Sequence, residues 1–290
     1  MAADVETFES QRQRLTRLAY RMLGSVAEAE DVVQDAWLRW NRTDEEVRDP
    51  AGWLVRVTSR LCIDRLRSAK VQREAYRGPW LPEPLIEELS VDPVERAEDV
   101  SVAFLLALER LSPLERAVFL LHDVFDEDYA SVAETLGRNE AAVRQLAARA
   151  RTHVRDSRPR FTVSEAEAAK LAAAFMAAAA QGDMKALSAV LAEDAVLISD
   201  GGGKRSAALR PMSGREDIIR LLEGLAWRTG GAELWPISFR AVRINGYPGV
   251  IMEREDGPMT VAFQPGEDGK LAAIYLVRNP DKLGRLPLDQ

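Results

Sequence analysis

Three clusters of side chains in this sequence carry a spacing that chemistry can use. Glu28, Asp31 and Asp35 recur at i, i+3 and i+7, with Gln34 beside them, so in a helix they share one face. Ala29, Val32, Val33, Ala36, Trp37 and Trp40 form the apolar stripe of the same stretch. An acidic face of this kind serves solubility in most helices and docks on a basic protein surface in some. The second cluster is basic: residues 56–73 carry Arg56, Arg60, Arg65, Arg67, Lys70 and Arg73 against Asp64 alone. At about 100° per residue, Arg56, Arg60 and Arg67 cluster on one arc, and Trp53, Leu54, Val57 and Leu61 are left to pack inside. Acid for a protein partner and base for nucleic acid is the functional reading of the pair.

The third cluster has the sharpest grammar. Tyr129, Val132, Ala133 and Leu136 predict a short amphipathic helix, Gly137 ends it, and Asn139 caps the next. That next helix buries Val143, Leu146, Ala147, Ala150 and Val154, a helix-turn-helix pattern. Its other face presents Arg144, Ala148, Arg151 and Arg155, flanked by Gln145 and Arg149. Arg and Gln read guanine and adenine edges in a major groove, and the outer arginines suit phosphates. Ala148, small and central, lets such a helix approach closely.

These clusters must be positioned by more than one domain. At 290 residues the chain exceeds one ordinary core, and 47% hydrophobic with 29% charged residues excludes wholesale disorder. One cysteine and two histidines make no four-ligand zinc site and no internal disulfide, so no metal or cofactor is expected. The acidic start MAADVETFES lacks an apolar core, and the run from Leu171 to Ala180 is too short to span a bilayer, which predicts a cytoplasmic protein without membrane contact. A net charge of −7 argues against a nucleic-acid binder on average, but the two basic blocks, 56–73 and 138–158, stand out from an acidic chain.

The expected organisation is a helical module over 1–75, a linker over 76–91 with Pro79, Pro82 and Pro84, a second helical module over 92–158 and an α+β module over 161–290. Capping boxes at Ser112–Glu115, Ser164–Glu167 and Ser213–Glu216 predict helix starts. Turn signals at Asn245-Gly246, Asp256-Gly257 and Asp268-Gly269 separate four β-rich runs, 235–244, 250–254, 259–264 and 271–277, giving helices first and an antiparallel meander after.

The stretches AEDVVQDAWLRW (29–40), DPAGWLVRVTSRLCIDRLRS (49–68), LSPLERAVFLLHDVF (111–125) and YASVAETLGRNEAAVRQLAARAR (129–151) resemble regions 2 and 4 of bacterial extracytoplasmic-function (ECF) sigma factors. WLPEP (80–84), DGGGK (200–204) and NPDKL (279–283) resemble the subgroup with a SnoaL-like extension, the sigma-J-like proteins. The resemblance implies two all-α sigma modules followed by an α+β SnoaL-like cone with an antiparallel sheet. It implies that Asp31, Gln34 and Asp35 dock on the β′ clamp helices of core RNA polymerase, with further contact to the β subunit. It assigns Arg56, Arg60, Arg65 and Arg67 to the −10 element, and Arg144, Gln145, Ala148, Arg149, Arg151 and Arg155 to the −35 element of promoter DNA. The extension is expected to replace a separate anti-sigma factor through contacts of Trp80, Pro82, Asp200, Lys204, Asp281 and Lys282, and to offer a pocket to a small ligand of unknown kind. Leu146 and Ala148 depart from the commonest recognition helix of the family, where an arginine and a larger polar residue are frequent.

SnoaL-like folds include polyketide cyclases, so enzymes must be weighed. Both histidines, His122 and His153, lie in the DNA-binding half, and the extension lacks the side chain best suited to proton transfer near neutrality. Asp194, Asp200, Glu216 and Asp217 remain as carboxylates, with Asp194 and Glu216 read as turn and capping residues. The Gly201–Gly203 run with Lys204 lacks the P-loop spacing and reads as a tight turn. Cys62 reads as apolar filler. A sigma factor without catalytic residues is therefore expected. A stand-alone ligand-responsive transcription factor, or a SnoaL-type enzyme fused to a DNA-binding module, is the alternative.

Overall fold

Apolar stripes at helical spacing close on one another in the first half of the chain. Helices α1 (Val5–Leu23), α2 (Val26–Asn41) and α3 (Pro50–Glu74) bury Phe8, Leu15, Leu18, Val32, Ala36 and Leu54 with almost no residual exposure. Helix α4 (Val102–Leu108) leads to α5 (Pro113–Phe119), which starts where the sequence places it: the Ser112 hydroxyl accepts the Glu115 N–H, and Glu115 accepts in return. A π-helical turn, Leu120–Val124, continues α5. Then α6 (Tyr129–Leu136) ends at Gly137, whose φ of 60° is the left-handed C-cap a glycine supplies without strain, and α7 (Glu140–Arg155) begins with Asn139 accepting the Ala142 N–H.

In this computed structural model residues 5–43, 47–87, 100–155, 163–228 and 238–287 are described, with the side chains of 69–74, 155 and 226–228 outside that description. The chain forms two units interleaved in sequence, residues 1–75 with 103–158, and residues 76–102 with 159–290.

The second unit is built on one sheet. Strands β1 (Ile86–Glu87), β2 (Leu191–Asp200), β3 (Met212–Ser213), β4 (Ser238–Ile244), β5 (Tyr247–Glu253), β6 (Met259–Pro265) and β7 (Leu271–Val277) are ordered β1-β4-β5-β6-β7-β2-β3. The three predicted turns join β4 through β7 as a meander, with Asn245 at φ 50° in the first of them. Residues 235–237 of the first β-rich run lie outside the described residues. Helices α8 (Glu165–Gln181), α9 (Met184–Val190) and α10 (Arg215–Arg228) cover one face, where Phe175, Leu187, Ile218, Phe263 and Ile274 share a core.

Two details depart from the sequence reading. Strand β2 precedes α10 and runs parallel to β7, so the order is not helices first, and the sheet is mixed rather than wholly antiparallel. Its start, Glu193-Asp194, imitates a turn because the register shifts between Leu191 and Val196, and Asp194 therefore sits in an irregular strand. Helix α10 begins at Arg215 behind Gly214, whose carbonyl accepts the Ile218 N–H, while Ser213 belongs to β3 and not to a capping box.

Candidate functional site

On α2, Ser25 caps the first turn and fixes the helix phase, leaving Asp31 and Gln34 exposed and Asp35 half-buried. Arg65 of α3 lies across this acidic face, 3.5 Å from both Asp31 and Asp35, so it joins two clusters that the sequence assigns to different partners. Arg67 faces Asp64 at 3.4 Å on the exposed side of α3. The side chains of Lys70 and Arg73 lie outside the described residues. Cys62 is buried in α3, where burial pushes its thiol up and keeps it protonated, in keeping with filler.

Arg56 and Arg60 are engaged within the first unit. Arg56 pairs with Glu134 of α6, and the Arg60 Nε donates to the Thr135 carbonyl at 3.0 Å. The same junction is tied elsewhere by Arg14 to Glu127 at 2.7 Å and by Arg116, which donates to the Met22 carbonyl and to Glu109 at 2.7 Å each. Arg116 is 3% exposed, and burial lowers its pKa to about 9, which still leaves it charged at neutral pH.

The outward face of α7 carries Arg144, Gln145, Ala148, Arg149 and Arg151, all exposed, while Val143, Ala147, Ala150 and Val154 are buried and Leu146 is half-buried. Arg144 pairs with Glu140 and lies over the Tyr129 ring at 4.4 Å. Arg149 reaches Glu115 at 3.2 Å. The Arg151 Nε donates to Asp123 at 2.6 Å, and that bond with a second one to the Tyr129 hydroxyl holds the guanidinium more firmly protonated. The side chain of Arg155 lies outside the described residues.

In the second unit the named side chains converge on one carboxylate. Asp200 has no exposed surface at the end of β2. Its Oδ1 accepts the Tyr76 hydroxyl at 2.5 Å and the Gly202 N–H at 2.9 Å. Its Oδ2 accepts the Leu81 N–H at 2.9 Å and the Lys282 ammonium at 2.7 Å. Lys282 also donates to the Leu81 carbonyl and lies over the Trp80 ring at 4.3 Å, a cation–π contact in partly desolvated surroundings. Pro82 is buried and, with Leu81 and Pro84, lies against Ile244 and Tyr275 of the sheet. Lys204 meets Asp281 at 2.6 Å on the exposed side of the cluster. Burial, followed by the hydrogen bond and charge of Asp200, pushes the Tyr76 hydroxyl up, so it stays a donor.

Trp80, Asp200, Lys204, Asp281 and Lys282 are thus brought together, with Pro82 next in sequence to Leu81 but directed at the sheet, whereas Asp194, Glu216 and Asp217 do not join them. Tyr76 and Asn279 are members that sequence reasoning missed. The Asn279 Nδ2 donates to the Tyr76 hydroxyl at 2.8 Å, and a Cβ on Gly202 would fall 2.3 Å from the Asn279 side chain, so the glycine at φ 62° makes room for it. The signal was the pairing of Asn279 with Pro280, a turn dipeptide directly after the last strand. Among the described residues there is no cluster of three metal-binding side chains and no helix long and apolar enough to cross a membrane.

Residues 7–71 match the family model of sigma-70 region 2, and residues 101–154 that of sigma-70 region 4. The ECF RNA polymerase sigma factor SigJ of Mycobacterium tuberculosis is 40% identical over 299 residues, covering 99% of this chain and 95% of SigJ. The probable ECF RNA polymerase sigma factor SigI of the same species is 39% identical over 190 residues, 63% of this chain and 65% of SigI. The crystal structure of Mycobacterium tuberculosis SigJ matches with a TM-score of 0.79 at 37% identity, over 99% of this chain and 100% of that one. Identity at this level along nearly the full length, with regions 2 and 4 falling on the helices that carry the acidic face and the basic arcs, makes the chain a member of the ECF RNA polymerase sigma factor family.

Proposed function

We propose that this sigma factor binds core RNA polymerase through Asp31, Gln34 and Asp35, engages the −10 element with the α3 arginines and the −35 element with α7, and is held back in cis by its C-terminal unit. The observation that carries the reading is the presence of both sigma regions on a chain whose α2 leaves Asp31 and Gln34 exposed, since a repressor has no use for such an acidic face. Arg56 and Arg60 are occupied by α6, so an arrangement that engages the −10 element with these residues requires α6 to leave α3.

The C-terminal contribution follows from the Asp200 cluster. Tyr76 and Leu81 belong to the segment between the two sigma regions, and Asn279 and Lys282 to the end of the chain, so the cluster fixes the path of that segment. The extension supplies the restraint that a separate anti-sigma factor supplies elsewhere. Phosphodiester chemistry is left to the polymerase, and no cofactor is required. A net charge of −7 repels DNA at long range and lowers binding by the free subunit. Co-purification of the full chain with core polymerase, followed by transcription from a promoter library, tests the reading. Stable association and initiation at one promoter class are expected. Sequence-specific DNA binding without any affinity for core would instead identify a stand-alone transcription factor.

A further inference from the structure

The second unit carries a recess of about 340 Å³, at the small end of the range for ligand sites, beside the Asp200 cluster. Arg77, Lys204 and Arg205 supply its charge, the turn at Gly201–Gly203 its floor, and Ala208 and Leu209 its apolar wall. Three features separate it from an ordinary basic surface.

First, its cations differ in how they are held. Arg205 is fixed: its Nη1 donates to the Pro258 carbonyl at 2.8 Å, and its guanidinium occupies the space a Cβ on Gly257 would need. Arg77 is exposed and makes no hydrogen bond or ion pair among the described residues. It packs so close to the turn that a Cβ on Gly203 would lie 3.2 Å from its own Cβ. Lys204 is shared with Asp281. Second, Arg254 and Arg278 pair with Asp256 next to Arg205, so three arginines gather around one carboxylate at this corner. Burial raises the pKa of Asp256, yet Arg278, Arg254 and Arg205 together hold that carboxyl below its ordinary value. Third, Leu209 is 64% exposed on the rim, one of few large apolar side chains so placed among the described residues.

We infer that this recess binds a small phosphorylated compound, with its phosphate between Arg77, Lys204 and Arg205 and its uncharged organic part against Ala208 and Leu209. A carboxylate offers two oxygens and one charge, whereas a phosphate dianion offers three oxygens to donors converging from different directions. A nucleic-acid backbone requires cations strung along a groove, and here three line one recess. The dianion competes with Asp281 for Lys204, so occupancy loosens the C-terminal segment, and by linkage a loosened segment binds the ligand more tightly. This coupling rests on the cis-regulatory reading above, but the binding itself does not.

Calorimetric titration of the full chain with phenyl phosphate, inorganic phosphate and benzoate tests the site. Saturable binding is expected in the order phenyl phosphate, then phosphate, with benzoate weakest. Arg77→Gln and Lys204→Gln, both at exposed positions, are expected to weaken phenyl phosphate about tenfold each without moving the melting temperature. No saturation by either phosphate up to about 10 mM, or binding that both variants leave unchanged, overturns the site. Benzoate as tight as phenyl phosphate overturns the phosphate class, and inorganic phosphate as tight as phenyl phosphate overturns the organic ligand. Asp281→Asn frees Lys204 and is expected to tighten phenyl phosphate several-fold. Unchanged affinity in that variant removes the coupling to the C-terminal segment while the recess stands on Arg77 and Lys204.

Discussion

Lys282 places its ammonium 2.7 Å from the Oδ2 of Asp200, across 82 residues of sequence, at a carboxylate with no solvent-exposed surface. A buried charge of this kind is tolerated only because every oxygen direction is met. Tyr76, Leu81, Gly202 and Lys282 supply four donors to two carboxylate oxygens. Lys282→Met leaves the carboxylate uncompensated and is expected to destabilise the second unit by about 3–5 kcal/mol, read from chemical denaturation. The double variant Asp200→Asn with Lys282→Met is expected to recover a large part of that loss, because the amide keeps one acceptor and carries no charge. If the single variant denatures like the parent, the pair has no structural role.

Tyr76 donates to Asp200 and accepts from Asn279, so Tyr76→Phe strands both and is expected to cost about 1–3 kcal/mol. Its pKa is raised above the ordinary value of 10.0 by burial and then by Asp200. A raised acid stabilises the fold fully below the unfolded pKa and loses that contribution as pH rises through the folded one. Stability of the parent is therefore expected to fall on titration above about pH 10 more steeply than that of the Phe variant. Parallel curves would remove Tyr76 from the hub's energetics.

Reversal of Asp31 and Asp35 to Lys places like charge beside Arg65, 3.5 Å away in the parent. Loss of core binding is expected with helix content unchanged, since the Asp31 and Asp35 side chains are 64% and 48% exposed and contribute little to stability. Pull-down against core, with circular dichroism as the folding control, measures this. Retained affinity in the folded variant excludes the α2 face as the contact.

Glu134→Gln removes the ion pair that occupies Arg56. Glu134 is 71% exposed, so the pair contributes at most about 1 kcal/mol, and promoter binding by the holoenzyme is expected to rise by no more than about fivefold. Filter binding at fixed salt decides it. A fall in promoter affinity would mean that α6 does not compete with DNA for α3.

Substitution of Gln145 is expected to change preference among −35 sequences, whereas Arg155→Ala is expected to weaken all of them and lower the salt slope by about one. Equal, sequence-independent losses from both would show that α7 holds phosphates without reading bases.

The helices were legible because their signals are local. The capping boxes at Ser112 and Ser164, the Gly137 stop and the stripe on α7 each lie within one or two turns of sequence. Strand β2 was not legible, because its acidic bulge at Glu193-Asp194 looks like a turn and its pairing with β7 comes from residues about eighty positions away. The same difficulty hid Tyr76 and Asn279 within the Asp200 cluster. A buried carboxylate looks like any surface aspartate until its donors arrive from 124 residues before it and 82 after. Motif similarity pointed to Asp200 and Lys282, while the residue that completes the hydrogen bonding, Tyr76, lies just outside WLPEP.

The interleaving of the two units also sets a timetable for a chain leaving the ribosome. The first unit is complete in sequence at residue 158, whereas the Asp200 cluster waits for Lys282, 124 residues later. At about 5–20 residues per second that interval is on the order of 6–25 s. For that time the nascent protein carries the whole sequence of the first unit, both basic arcs included, while the strap between the sigma regions lacks the ammonium that compensates Asp200.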